Sequence, residues 1–375
     1  MNILLLAKDY PPTIGGVENY SYYLAEGLGK TNAVKVVTFR GKNNENTWED
    51  NVSVKRINLG FKISEVFKGV LLFFSLFICL LKERVDVVYA TTWKVAIPAA
   101  VLKWMFRYEL MITCHGAEVT RHKKSKVLMS LMNWVFCKSD KIVAVSAFTK
   151  SKVHEYSDVS DRKVTVVYNG IDSDKLKPYS LIDARRKLLL PENKFIITTI
   201  SRVDSRKGHE LVIRSIPKII EQQTDFLYVI VGNGPNKSYL ETLVKDLKLD
   251  DFVLFKGFVA SELLDFYYSA TNLFVMVNTL KDDKDFEGFG LVFAEAGYYS
   301  KPVIGGKNGG PCEVILDGKT GFLVEESISE IEERILYFMN NKNKLIEFGS
   351  NAFEWTNNMF TIDKMIEGIT KVVLE

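Results

Sequence analysis

Strands and helices alternate from one end of the chain to the other, and the alternation restarts after a polar linker. These two observations predict an α/β protein of two doubly wound, Rossmann-like domains. Length agrees, since 375 residues exceed what one core of ordinary size organises. The candidate strands are short unbroken apolar runs. Strands read that way when helices cover both faces of a parallel sheet.

Taken in order, "NILLLA" (residues 2–7) is the first strand. "GVENYSYYLAEGLGK" follows as a helix with Val17, Tyr20, Leu24 and Leu28 on one face. Further strands are expected at 34–39, 85–90, 109–114, 141–145 and 163–168. "NGIDSDKLKPYS" (169–180) combines a turn dipeptide, polar residues and a proline, and reads as the linker. The rhythm resumes with strands at 195–201, 226–232, 272–278 and 301–306. The two domains are expected to join near residue 175.

Composition narrows the class. A hydrophobic fraction of 47% and a charged fraction of 25% are those of a soluble globular protein. A net charge of +3 is too mild to imply nucleic acid. Cys79, Cys114, Cys137 and Cys312 have no paired spacing, which argues against disulfides or a zinc site and for a reducing, cytoplasmic setting. The apolar run in "MNILLLAKDYPP" is shorter than a secretory core. The longest apolar run, "GVLLFFSLFICLL" (69–81), is too short to span a bilayer and reads as a buried or interfacial helix.

In open α/β sheets ligands sit beyond the carboxyl ends of the strands, so the loops after strands carry the information. In "DYPPTIGGVE", Gly15 and Gly16 precede a helix with Glu18 in its first turn. This is either an anion site at a helix N-terminus or a flexible loop with an acidic first turn. His115 ends a strand in "CHGAE". In "RVDSRKGHE", Arg202 and Lys207 flank a loop, with Lys207 expected to open the next helix. Two cations beside a helix N-terminus suit a diphosphate, and the competing reading is a solvated basic loop. In "GNGP", Gly232 and Gly234 begin a dinucleotide fingerprint whose third glycine position holds Lys237, so the signal is weak. They are read as permitting close approach of a nucleotide, or as a plain turn.

"EGFGLVFAEAGYY" is the most informative stretch. Glu287 lies in a loop before a helix, and Glu295 lies about 1.5 turns into that helix. Between them Gly288 and Gly290 free the N–H groups of Gly288, Phe289, Gly290 and Leu291 to face phosphate oxygens. Carboxylates accept from neutral hydroxyls, and a sugar and a ribose are rich in them. Two capping or exposed acids would not explain this arrangement.

Together these residues resemble the retaining glycosyltransferases of family 4 (glycosyl transferases group 1), which have the two-domain GT-B fold. The most specific part is glutamate, seven residues, glutamate, at Glu287 and Glu295. Gly15–Gly16, His115–Gly116, "NGID" (169–172), Arg202 with Lys207–Gly208, and Gly309–Gly310 fall in the family's order. The resemblance implies two Rossmann-like domains facing an interdomain cleft that closes on its substrates. It implies an acceptor-side domain at 1–175, a nucleotide-sugar domain at 176–355 and a helix at 356–375 crossing back to the first. It further implies that Arg202 and Lys207 bind the diphosphate of a UDP- or GDP-sugar. Glu287 would contact the transferred hexose (mannose, glucose or an N-acetylhexosamine) and Glu295 the ribose, while His115 would touch the donor sugar and Gly16 lie against phosphate. No metal and no cofactor beyond the donor are implied. No second carboxylate is placed for a paired-carboxylate scheme, and fixed cations and amides would stabilise the leaving diphosphate.

Asp283 and Asp285 depart from the pattern. They form an aspartate-x-aspartate that binds metal in a different glycosyltransferase fold, but the neighbouring lysines favour a solvated loop. "TRHKKSKVLMSLMNWVFCKSDK" (120–141) has a basic start and an amphipathic continuation. It is expected to dock peripherally on the inner face of the cell membrane and serve a lipid-linked or cell-envelope glycan acceptor in polysaccharide biosynthesis. The competing reading is a core helix with a solvated basic end. A nucleotide-sugar epimerase of the same fold, a nicotinamide oxidoreductase and a non-catalytic nucleotide-sugar scaffold are the rival functions.

Overall fold

A computed structural model gives the fold and describes residues 1–13, 15–40, 51–58, 64–280 and 286–375. Asp283 and Asp285 lie outside the described residues. The chain forms two compact units, residues 1–169 with 362–375, and residues 170–361.

The first unit runs β1 (Asn2–Leu6), α1 (Gly16–Gly29), β2 (Ala33–Phe39), β3 (Ser53–Ile57), α2 (Glu65–Lys82), β4 (Val87–Ala90), α3 (Trp93–Leu102), β5 (Glu109–Cys114), α4 (Ala117–Thr120), α5 (Lys126–Lys138), β6 (Lys141–Ala144), α6 (Ala147–Glu155) and β7 (Val164–Val166). Its seven-stranded parallel sheet has the order β3-β2-β1-β4-β5-β6-β7. One face packs on α2, α3 and α5 through residues such as Leu76, Ala96 and Phe136, and the other on α1 through Leu24 and Leu28.

The second unit runs α7 (Leu181–Leu188), β8 (Phe195–Ile200), α8 (His209–Ile220), β9 (Phe226–Val231), α9 (Lys237–Asp246), β10 (Val253–Gly257), α10 (Ser261–Ala270), β11 (Leu273–Met276), α11 (Leu291–Tyr298), β12 (Val303–Gly306), α12 (Pro311–Val314), β13 (Gly321–Val324), α13 (Ile328–Asn340) and α14 (Lys342–Met359). Its parallel sheet has the order β10-β9-β8-β11-β12-β13. The final helix, α15 (Ile362–Leu374), belongs to the first unit, where Ile366 packs so closely on α1 that a Cβ at Gly27 would lie 2.4 Å from its Cγ1.

The division falls at residues 169/170 and 361/362, about six residues away from the expected 175 and 355. A bridge between Ile171 and Thr361 explains the shift, because it ties the start of the linker to the end of α14. Three strands escaped the sequence reading: β3, β10 and β13. All three are sheet edges. An edge strand is not covered on both sides, so β3 ("SVKRI") and β10 ("VLFKG") lack the unbroken apolar run of an inner strand, while β13 ("GFLV") is apolar but only four residues long. No described helix is long and apolar enough to cross a membrane. In α5 the expected apolar face is buried at Met132, Val135 and Phe136, so that side is used inside the first unit's core, while Val127 is exposed.

Candidate active site

In the second unit β8 and β11 are neighbours in the sheet although far apart in sequence. The order reverses there, which is where loops diverge and leave room for a ligand. The loop after β8 carries Arg202 and Lys207, and the chain after β11 leads to Glu287. Lys207 does not open a helix. It closes a short 3-10 turn, Ser205–Lys207, capped by the Asp204 side chain, and α8 starts two residues later after Gly208 in a left-handed conformation.

The Lys207 ammonium donates to Glu287 Oε2. Their side chains are 14% and 21% exposed, so each shields the other's charge from water only partly replaced by protein. Arg202 is exposed and has no ion pair among the described residues. Hydrogen bonds join the loops into one platform: Thr279 N donates to Arg206 O (2.8 Å), and Val203 N to Asn233 O (3.1 Å).

Glycines hold this platform together for a reason the sequence did not suggest. A Cβ at Gly232, whose φ is 136°, would lie 1.9 Å from Ser201 O, and one at Gly234 would lie 2.2 Å from Val203 O. Packing against the β8 loop by itself requires glycine at these positions, a demand apart from any approach of a nucleotide. Behind Glu287, Gly310 N donates to Glu287 O (2.8 Å), and a Cβ at Gly310 would lie 2.3 Å from Gly288 O. The later glycine pair is therefore the backing on which the Glu287–Gly288 backbone rests.

Gly290 caps α11, whose first turn begins at Leu291. Phe289 is buried with its ring edge-on to Phe360 at 5.4 Å, so its side chain anchors the loop. Glu295 lies half-buried on α11 and accepts from the Tyr268 hydroxyl through Oε2, while Oε1 makes no hydrogen bond among the described residues. Burial pushes its carboxyl up, the Tyr268 bond opposes this, and nearby Asp265 adds to the rise. Tyr268 stacks on Tyr299, whose hydroxyl donates to Asp265. This tyrosine shelf has no sequence signal beyond a Tyr-Tyr pair in α10. His209, buried at the start of α8, also went unread. Burial lowers its pKa to about 4.

The first unit has its own reversal between β1 and β4. Gly15 and Gly16 follow β1 and lead into α1. Glu18 already lies there, its Oε2 2.2 Å from where a Gly15 Cβ would be, whereas a Cβ at Gly16 would meet nothing within 4 Å. His115 follows β5. Its Nε2 lies 3.0 Å from Thr91 O, which can only accept, so Nε2 carries the proton and Nδ1 is left as acceptor in the neutral ring. Burial lowers its pKa, keeping it neutral at pH 7. Its ring stands edge-on to Tyr20 at 4.8 Å. The Tyr20 and Tyr89 hydroxyls both meet Thr113 Oγ1, at 2.9 and 3.0 Å.

The order of these parts along two such sheets matches known proteins. The profile of Glycosyltransferase Family 4 matches residues 14–175, and that of Glycosyl transferases group 1 matches residues 182–355. The chain is a GT-B glycosyltransferase of the family 4 type. Among relatives, a GDP-mannose-dependent alpha-(1-6)-phosphatidylinositol monomannoside mannosyltransferase of Mycobacterium tuberculosis is 24% identical over 97% of this chain and 95% of its own. N-acetyl-alpha-D-glucosaminyl L-malate synthase of Bacillus anthracis is 26% identical over 76% of this chain and 73% of its own. Among solved structures, Anabaena HepE in complex with UDP has a TM-score of 0.83 at 21% identity, covering 100% of this chain and 99% of that one. This glycosyltransferase thus shares its fold along its whole length with proteins of low sequence identity.

Proposed function

We propose that this glycosyltransferase moves a hexose from a UDP- or GDP-sugar to a lipid-linked or cell-envelope glycan acceptor, with retention at the anomeric carbon and without a metal. The observation that carries the reading is the Lys207–Glu287 pair at the β8–β11 reversal, with the uncompensated Arg202 on the same loop. The names of the relatives support a hexose and a nucleotide donor. The mannosyltransferase is GDP-mannose-dependent, and HepE has been solved with UDP-glucose.

Cleavage of the donor puts negative charge on the departing diphosphate. Lys207, Arg202 and the first N–H groups of α11 supply fixed positive charge and donors for it. When the diphosphate takes Lys207, Glu287 is released to accept from hydroxyls of the hexose. Glu295 Oε1 accepts from the ribose, with Tyr268 holding the other oxygen in place. His115 presents Nδ1 as a neutral acceptor to a sugar hydroxyl. The first unit would serve the acceptor, and attachment to the inner face of the membrane would be peripheral.

A thermal-shift panel of nucleoside diphosphates and their sugars tests the donor, because a ligand of the folded state raises the melting temperature by mass action. UDP or GDP and one matching sugar are expected to stabilise the protein. With that donor, Glu287→Ala should lose at least 100-fold in transfer, on the order of removing one transition-state contact. Unchanged transfer would sink the assignment. Activity surviving a chelator, and product with the donor's anomeric configuration by NMR, check the remaining two claims.

A further inference from the structure

The first unit contains a cavity of about 610 Å³ between α2, α3 and α5. That is the size of a small-molecule site. Its walls are apolar, with Phe73 of α2, Ile97 and Val101 of α3 and Leu131 of α5 among them. Its charged lining residues are Lys8, Glu65, Lys68 and Lys94. Glu65 is taken by Lys68 at 2.7 Å. Lys8 has only a long contact to Asp9, at 3.9 Å, and Lys94 has no carboxylate partner among the described residues. Burial first, and then the charge of Lys8, lower the Lys94 pKa, Glu65 opposes them and Arg121 adds to them, so Lys8 and Lys94 lie near one another with the Lys68-paired Glu65 carboxylate beside them. Lys8 follows β1, which puts the positive group at the carboxyl edge of the sheet.

Gly69 adds a second, independent observation. It sits in the interior of α2, where glycine is a poor helix former. It lines the cavity, and a Cβ there would meet nothing within 4 Å. Packing does not require the glycine, and the space beside it is open.

We propose that this cavity binds the hydrocarbon chain of a lipid phosphate, with Lys8 and Lys94 holding the phosphate at its mouth. An apolar chamber alone would take any oily molecule, and a cationic patch alone any anion. Their combination selects an amphiphile with a negative head and a single chain. The inference rests on the lipid-linked acceptor reading and gives it a place, but its test requires no transfer.

The probe is dodecyl phosphate below its micelle concentration, titrated by calorimetry into the full chain with no donor present. One molecule is expected to bind, and the octyl and decyl homologues should bind more weakly by about fourfold per methylene removed. Gly69→Trp should abolish binding without lowering the melting temperature, and Ile97→Trp, filling the cavity from α3, should do the same. Lys94→Gln should reduce dodecyl phosphate to the level of dodecanol. Affinity independent of chain length, full competition by inorganic phosphate, or wild-type binding by both tryptophan variants overturns the proposal. Equal retention of wild type and Gly69→Trp on anionic vesicles, with no binding of monomeric dodecyl phosphate, would place lipid on the outer surface and overturn it as well. Binding by a protein that transfers no hexose would refute the acceptor reading alone.

Discussion

The two sheets are built alike and differ at their carboxyl edges. The second unit places charge there: Lys207 against Glu287, with Arg202 exposed on the same loop as Lys207. Around β4 and β5 the first unit places neutral groups instead: Tyr20, Tyr89 and Thr113 share hydroxyl bonds, and His115 stays uncharged, while its cation, Lys8, follows β1. Burial pushes Tyr20 up to about 12 and Tyr89 up as well, so these phenols stay protonated. The glycines differ in the same way. Gly310 is pressed against backbone, while Gly16 faces open space. A partly buried ion pair is held by a rigid platform because a misplaced charge is costly. Neutral hydroxyl donors tolerate rearrangement. The second edge thus holds a charged pair on a rigid platform, and the first buries a neutral hydroxyl cluster beside an uncharged imidazole.

The sharpest way to break this contrast is to remove one member on each side. Lys207→Ala should reduce kcat/KM for transfer by roughly 10²–10³-fold, the usual cost of losing a stabiliser of developing charge. It should also lower stability by about 1–3 kcal/mol, because Glu287 keeps its position and loses its partner. Tyr20→Phe removes one bond to Thr113 and leaves the Tyr89 bond. It should cost about 1 kcal/mol and leave transfer within tenfold. Equal losses of transfer from the two variants would mean that the edges are not divided in this way.

A second contrast uses the glycines. Gly310→Ala forces a Cβ to 2.3 Å from Gly288 O, so the Glu287–Gly288 backbone must move. A loss of roughly 3 kcal/mol is expected, with transfer falling alongside. Gly16→Ala meets no atom within 4 Å, and alanine is the better helix former. Its melting temperature should hold or rise slightly. Transfer by Gly16→Ala should fall nonetheless, because the resemblance puts phosphate against that glycine. Full activity in Gly16→Ala would remove Gly16 from the site.

These contrasts show which features a sequence can carry. Inner strands such as β1 and β9 are legible because both faces are buried and, apart from Asn2 at the start of β1, every residue is hydrophobic. Arg202, Lys207 and Glu287 are legible because each follows a strand, where a parallel sheet delivers its ligands. The pairing of Lys207 with Glu287 is not legible, since it joins residues 80 positions apart through tertiary structure. The same holds for Tyr268 with Glu295. Gly232 and Gly234 show the opposite failure: their presence was legible, but the atoms that demand them belong to a loop far away in sequence. The cavity lies among three helices, and helical periodicity says only that their apolar faces point inward, not that they leave space.

Two titrations test the units without changing a contact, and they have opposite signs. His209 is neutral when folded, with a pKa near 4 against an ordinary 6.5. Between those values the unfolded chain binds a proton that the folded chain refuses, so stability is lost as pH falls through that window. The loss should reach about 2 kcal/mol as pH drops from about 7 to 5. His115 is lowered in the same direction, so the first unit contributes to the same acid-side loss. Glu295 is raised instead. Above the ordinary carboxylate value the folded chain keeps a proton that the unfolded chain has released, so stability falls as pH rises toward the raised value. Melting temperatures across pH should therefore show His209→Gln flattening the acid-side loss, and Glu295→Gln flattening the opposing slope just above the usual carboxylate range. If Glu295→Gln steepened that slope, the carboxylate would be the favoured form in the fold. Tyr268 would then be its main stabiliser, outweighing burial, rather than the weaker of two opposing influences.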